Sequence, residues 1–188
     1  MMVRSLRRDI ALAVTWIAFV ALMMIGPGAD SSEAAMCGGS ATPAYELGAR
    51  DARGATLCLL NRQRDAHGLR PLRFDGKQQK AAENHNRMMI RKGCFAHQCS
   101  GEQDLVGRME SSGYLPCSCS WSVGENIAWG TGSTASPRKI VDAWMGSPPH
   151  RMNILNKSFD EVGLAIASGS PDGGRKTATY TADFGYKS

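Results

Sequence analysis

The chain has 188 residues, of which 43% are hydrophobic and 21% are charged. This composition is typical of a globular domain and excludes a disordered or low-complexity protein. The formal net charge of +5 is compatible with attraction to anionic surfaces such as cell-wall polymers or lipid headgroups, but by itself it favours no more than a soluble basic secreted protein. Because the basic residues are not interleaved with aromatic ones, the sequence argues against nucleic-acid binding.

The first 34 residues have the order of a secretory signal peptide. Three arginines precede the apolar run Ile10–Ile25, and small residues follow it up to Ala34. The run is shorter than the roughly 20 apolar residues that a bilayer span needs. We therefore predict cleavage after Ala34 and a secreted or cell-envelope protein with no membrane span after cleavage. An uncleaved anchor is the alternative.

Six cysteines follow the predicted cleavage site, and an even number in an exported chain favours disulfides. A pair between Cys37 and Cys58 would fix the start of the mature chain to the first helix. The other four would then link the loop 94–99 to the loop 117–119. The alternative is a zinc site in these two loops, although the spacings are not those of zinc knuckles. The disulfide candidates are Cys37, Cys58, Cys94, Cys99, Cys117 and Cys119.

The pattern after the signal predicts a flexible lead-in over 35–48 and a domain over 49–188. Apolar residues at helical spacing predict a first helix over 49–67. Asp75 begins a second helix, with Gln78 completing a capping box, and Gly93 ends it. A buried stripe on this second helix includes His85, which we interpret as a hydrogen-bonded core histidine.

The second half of the chain changes from helical to extended patterns. A short third helix is predicted from about Leu105 to Ser112, followed by the extended segment VGENIAWG and a small-residue loop. Ser136-Pro137 begins a fourth helix, and the two prolines after Ser147 end it. The last two runs, EVGLAIASG and ATYTADFGY, predict a β-hairpin. The sequence therefore predicts an α+β fold with about four helices and a small antiparallel sheet.

Four polar, ligand-capable residues lie in loops or at the ends of elements and are candidates for a functional site: His97, Glu125, His150 and Glu161. Glu125 lies in an otherwise apolar run, where an unpaired buried charge is costly. Two imidazoles and a carboxylate can bind a divalent cation such as Zn²⁺ or act as acid and base around a water. They can also hold loops together through hydrogen bonds, and their spacing does not decide among these roles.

Five segments occur together and in order: FAH (95–97), GENIAWG (124–130), VDAWMGSPPHRMNIL (141–155), FDEVGLA (159–165) and YTADFG (180–185). They resemble the CAP superfamily, named for cysteine-rich secretory proteins, antigen 5 and pathogenesis-related 1 proteins, in its bacterial SCP-like branch. The segment LCLLNRQRDAHGLRPLRFD (57–75) resembles the first helix and turn of that branch.

The resemblance implies a three-layer α-β-α sandwich with a cleft in which two histidines and two acidic residues meet, sometimes around zinc or another divalent cation. His97, Glu125 and His150 match three of these four positions. The second acidic position falls near Ser147, which is not acidic, so Glu161 is our weaker substitute.

The same resemblance implies a secreted binding protein for lipid, sterol or cell-wall ligands, which is more often not an enzyme. No residue is assigned a catalytic role, because no serine or cysteine has a recognisable nucleophile setting. The alternative is a metal-assisted, peptidase-like hydrolase in which zinc on His97 and His150 activates a water and Glu125 acts as base.

Overall fold

The computed structural model describes residues 37–115 and 120–188. The predicted signal peptide and the cysteines at 117 and 119 lie outside them. Within the described ranges, no helix has both the length and the apolar character needed to cross a bilayer.

Six α-helices and four β-strands make up the described residues, so the predicted α+β class is confirmed. The helices are α1 (Ala44–Leu47), α2 (Ala49–Asp65), α3 (Gly76–Lys92), α4 (Leu105–Ser111), α5 (Pro137–Gly146) and α6 (Pro148–Ile154). The strands are β1 (Arg73–Phe74), β2 (Trp121–Thr131), β3 (Glu161–Ser168) and β4 (Thr177–Lys187). The predicted count of about four helices is low because α1 and α6 are too short to show a helical period.

The sheet has the strand order β1-β3-β4-β2, and β4 pairs antiparallel with both β3 and β2. The predicted hairpin of β3 and β4 is therefore confirmed. The sheet is mixed rather than purely antiparallel, because β1 pairs parallel with β3. A two-residue strand has no alternation that a sequence pattern could reveal.

Helices cover both faces of the sheet and give the predicted three layers. On one face, Val162, Leu164 and Ile166 of β3 join the main core together with residues of α2 and α5. Trp144 of α5 packs edge-on against Tyr180 of β4, with ring centroids 6.5 Å apart. The opposite face receives α3, which packs on β3 and β4.

Helix α3 begins and ends at the residues that the sequence indicates. The Asp75 carboxylate accepts hydrogen bonds from the backbone N–H groups of Lys77 and Gln78, and Gly93 adopts φ 62° at the other end. The predicted capping box is only half formed, because the N–H of Asp75 donates to the carbonyl of Val162 at 3.0 Å. The helix start is thereby fixed to β3 rather than to its own first turn.

Two disulfides lie in the described residues. Cys37 pairs with Cys58 in α2, as predicted, and the buried Cys37 opens a segment of turns and the short helix α1 where a flexible lead-in was expected. Cys94 pairs with Cys99. The predicted link between the 94–99 and 117–119 loops is therefore wrong for these two cysteines, because the turn after α3 brings their Cα atoms to 6.0 Å. Neither is available as a zinc ligand.

The double proline has a second effect that the sequence analysis missed. Pro148 and Pro149 not only follow the end of α5 but also occupy the first positions of α6. Proline is tolerated there because the first backbone N–H groups of a helix have no intrahelical acceptor. His150 consequently lies in the first turn of α6 and not in a loop. Similarly, the predicted small-residue loop contains a 3₁₀ turn over Gly132–Ala135.

Candidate functional site

The loop after α3 and strand β2 bring two predicted site residues into contact. Nδ1 of His97 lies 2.8 Å from Oε1 of Glu125, although the two residues are far apart in sequence. Glu125 belongs to β2, so the sheet fixes its backbone. Its side chain is 2% exposed, whereas that of His97 is 60% exposed. The contact therefore joins a buried acid to an imidazole that faces solvent.

Arg108 of α4 holds the other oxygen of Glu125. Its guanidinium donates to Oε2 at 2.6 Å, and it also donates to the backbone carbonyls of His97 and Gln103. Burial alone would raise the pKa of Glu125, but the hydrogen bond with His97 and the charge of Arg108 outweigh it and lower that pKa. Glu125 is therefore an ionised, fully engaged carboxylate.

A second buried pair lies behind Glu125. Nδ1 of His85, in α3, is 2.8 Å from Oε2 of Glu102, and Nε2 of the same ring is 3.8 Å from Oε2 of Glu125. The interpretation of His85 as a hydrogen-bonded core histidine is thus confirmed. We call the group His85, His97, Glu102, Arg108, Glu125 and the neighbouring Asp183 the charge cluster.

His150 lies beside the charge cluster and has the opposite electrostatic character to His97. Its Nδ1 is 2.9 Å from Oγ of Ser147, and Asn126 donates to its backbone carbonyl. Burial, and then the charge of His97, lower the pKa of His150. We call His97 and His150 the rim. At neutral pH the rim combines a ring that favours the charged form with one that favours the neutral form.

The hydrogen bond with Glu125 is the largest cause that raises the pKa of His97. A raised pKa in the folded state means that this ring contributes stability below the pKa of an unfolded histidine. The contribution is lost as the pH rises through the higher pKa of the folded protein. Because the His97 ring is largely exposed, solvent screens this effect.

The two weaker candidates have different surroundings. Ser147 contacts His150 and therefore adjoins the rim. Glu161 instead accepts a hydrogen bond from the Tyr114 hydroxyl at 2.8 Å and lies 3.7 Å from Nζ of Lys187. The structure thus places Glu161 in a separate polar group and not as a substitute acid beside His97.

Several members of the charge cluster were missed by sequence reasoning. Arg108 is the most consequential, since an arginine in a short helix normally indicates a solvated face. Asp183 follows Thr179 and Thr181 on the polar side of the alternation in β4, a pattern that indicates a solvated face rather than the burial that the structure shows. Glu102 lies in a loop of mixed polarity and offers no signal of burial.

The arrangement does not fit the predicted three-residue cation site. Both oxygens of Glu125 already accept hydrogen bonds, from His97 and Arg108. With Nδ1 of each rim imidazole engaged, only the two Nε2 atoms face a ligand, whereas a catalytic zinc usually takes three protein ligands. Over the residues that the structure describes, no group of three or more histidine, cysteine, aspartate or glutamate side chains is arranged to hold a metal ion.

Comparison with known proteins identifies the family. Residues 57–184 match the cysteine-rich secretory protein family, CAP. The chain belongs to this family. The match contains His97, Glu125 and His150, and it confirms the resemblance that the sequence motifs indicate.

The relatives support the CAP fold, and two of them are described as an extracellular protein and an outer surface protein. The uncharacterized protein YkwD of Bacillus subtilis is 36% identical over 113 residues, which are 60% of this chain and 41% of that protein. An extracellular SCP-domain protein of Bacillus anthracis matches with a TM-score of 0.57 at 22% identity, over 72% of this chain and 42% of that one. An outer surface protein of Borrelia burgdorferi matches with a TM-score of 0.56 at 19% identity, over 69% of this chain and 87% of that one. This CAP chain thus spans less than half of YkwD and of the B. anthracis protein.

Proposed function

We propose that this CAP protein is an exported binding protein whose rim holds an anionic oxygen of a lipid headgroup or a cell-wall polymer. The observation that carries the proposal is the exposed His97 ring, which the buried Glu125 favours in its charged form. An imidazolium fixed at the surface by a buried carboxylate is a preorganised hydrogen-bond donor for an anion.

Both rings of the rim can donate toward the same ligand. Nδ1 of His97 is directed at Glu125, so Nε2–H of the charged ring is left for a ligand. When the Ser147 hydroxyl donates to Nδ1 of neutral His150, the ring proton lies on Nε2. Two N–H donors fit a phosphate or carboxylate group better than they fit a metal cation.

Export is part of the same proposal. The basic head, apolar body and small-residue zone of the first 34 residues favour a cleaved signal peptide. The disulfides are typical of an oxidising compartment, and the described relatives include extracellular and outer surface proteins. The net charge of +5 would then bring the rim toward anionic envelope surfaces.

The alternative, a metal-assisted hydrolase, needs Glu125 as a base with an accessible lone pair. Both carboxylate oxygens of Glu125 already accept hydrogen bonds, one from Arg108 and one from His97. The arrangement therefore favours binding over catalysis. Accordingly, we assign no catalytic residue.

Binding to defined anionic probes tests the proposal. We expect the purified protein to bind poly(glycerol phosphate) or phosphatidylglycerol vesicles more tightly than phosphatidylcholine vesicles, measured by calorimetry. Sterol-containing vesicles serve as a third arm. His97→Gln should weaken binding about tenfold or more, because a charge-assisted hydrogen bond is lost. Binding should also weaken as the pH rises through the pKa of His97.

The matched control is His67→Gln, which changes an exposed histidine outside the charge cluster and should leave binding unchanged. Equal affinity of the wild type and the His97 variant for every anionic probe would contradict the proposal. Zinc-dependent hydrolysis of a peptide or ester panel would instead support the alternative function, a metal-assisted hydrolase.

A further inference from the structure

Asp183 lies directly opposite Glu125 inside the sheet. The register of β2 and β4 pairs the two residues, and on its other side Asp183 is paired with Gly163 of β3. Residues directly opposite on antiparallel strands direct their side chains to the same face. Since Gly163 has no side chain, Glu125 is the lateral neighbour of Asp183 on this face. Asp183 is 0% exposed.

No N–H or O–H group of the described residues is placed to donate to either oxygen of Asp183. The cations nearest to the pair, Arg108 and His97, both engage Glu125 instead. An ionised Asp183 would therefore be a buried charge without a donor, directly opposite a second carboxylate. Such an arrangement is strongly unfavourable.

The titratable and charged groups around the two carboxyl groups come from every element packed there. They are Glu125 from β2, His85 from α3, Glu102 from the loop before α4, Arg108 from α4 and His97 from the loop after α3. For Asp183, the charges of Glu125 and Glu102 oppose ionisation, and only that of Arg108 favours it. The balance of charges thus favours a neutral Asp183.

We infer that Asp183 keeps its proton and donates it in a hydrogen bond to the carboxylate of Glu125, which makes Asp183 a positioning residue of the charge cluster. Glu125 then accepts from three donors: His97, Arg108 and Asp183. Three donors on one buried carboxylate fix its orientation, so that the direction of the His97 ring depends on a residue that never reaches the surface. This inference does not depend on which ligand the rim binds.

The electrostatics of the pair support the assignment. Burial, followed by the charge of Glu125, raises the pKa of Asp183 well above its ordinary value. The hydrogen bond with Asp183 contributes to the lowered pKa of Glu125. When two neighbouring carboxyl groups share one proton, the pKa of one is commonly raised and the pKa of the other is lowered.

The sign of the resulting pH dependence follows from linkage. Between the ordinary pKa of an unfolded aspartate and the raised pKa of Asp183, the folded state binds more protons than the unfolded state. Stability contributed at this position therefore falls as the pH rises through that interval. Asp183→Asn keeps a side-chain N–H donor to Glu125 without any proton to lose, so this fall disappears.

Carbon-13 NMR of protein labelled at aspartate carboxyl carbons tests the inference directly. Asp183→Asn identifies the Asp183 resonance by its absence. Asp172→Asn removes the resonance of an aspartate in an exposed turn and is the matched control for this assignment. We expect the Asp183 resonance of the wild type to keep the shift of a protonated acid at pH 7. A titration step near the ordinary aspartate pKa of about 3.9 would overturn the inference.

Two further measurements keep the test decisive if Asp183→Asn folds poorly. The infrared spectrum of the wild type at pH 7 should contain the C=O band of a buried protonated carboxyl group, and its absence would overturn the inference. If Asp183→Asn does fold, its His97 should titrate as in the wild type, because charge and hydrogen bond are both conserved. A lowered pKa of His97 in that variant would show that Asp183 had been ionised.

Discussion

Replacing Arg108 with alanine is expected to lower the free energy of unfolding by about 3–5 kcal/mol, the usual cost of leaving a buried charge unpaired. Arg108 is 4% exposed and donates to Glu125 at 2.6 Å, while Glu102 lies 3.9 Å from the same guanidinium. The variant would remove the guanidinium donor of Glu125 and the positive charge that faces both buried carboxylates, which would keep their histidine partners. Urea unfolding at pH 7, with the slope compared between the proteins, measures the loss.

Arg73→Ala is the matched control for this prediction. Arg73 also forms an ion pair, 3.0 Å from Asp160, but its side chain is 70% exposed, so we expect a loss below about 1 kcal/mol. Adding Glu125→Gln to Arg108→Ala should recover part of the lost stability, because it removes one of the two buried negative charges that Arg108 neutralises. If Arg108→Ala costs no more than Arg73→Ala, Arg108 does not neutralise the charge cluster.

Gly163→Ala is expected to disrupt the contact between α3 and the sheet. A Cβ atom at this position would lie 2.1 Å from the carbonyl carbon of Gln78 and 2.2 Å from the backbone nitrogen of Gln79. Backbone atoms cannot move aside without shifting the whole helix start. We expect a loss of at least about 3 kcal/mol, at the upper end for overpacked sites, measured by thermal and urea unfolding.

Gly54→Ala is the control, since it introduces the same methyl group in α2, where no described residue beyond the adjacent helix backbone lies within 4 Å. Alanine is the better helix former, so this variant should gain roughly 0.5–1 kcal/mol. A Gly163→Ala protein as stable as the wild type would mean that α3 does not pack as closely on β3 as the structure shows.

Much of the fold was predictable because local signals agree with the tertiary structure. Asp75 and Gly93 lie at the two ends of α3, and the alternation of Val162, Leu164 and Ile166 predicts a strand with one buried face. What the sequence did not reveal are the short elements. Helix α6 begins on prolines that also terminate α5. Strand β1 forms through its pairing with β3, in which the backbone N–H groups of Arg73 and Asp75 donate to carbonyls of the neighbouring segment.

The exposed residues of the site could be predicted from the sequence, whereas most of its buried residues could not. His97, Glu125 and His150 were selected as polar residues in loops or at the ends of elements and then matched to the family motifs, and the structure brings His97 and Glu125 together. Arg108 and Asp183 were not found, since a local pattern does not show whether a charged residue is paired with a charge from another element. The Cys94–Cys99 pair was missed for a similar reason, because its pairing depends on the path of the chain after α3.

A histidine titration by NMR, carried out on the wild type and on Glu125→Gln, tests most directly the central claim that a buried carboxylate holds an exposed imidazolium at the rim. His97 of the wild type should titrate above the ordinary histidine pKa of about 6.5. In Glu125→Gln its pKa should fall toward that value. An unchanged pKa of His97 in the variant would contradict the claim.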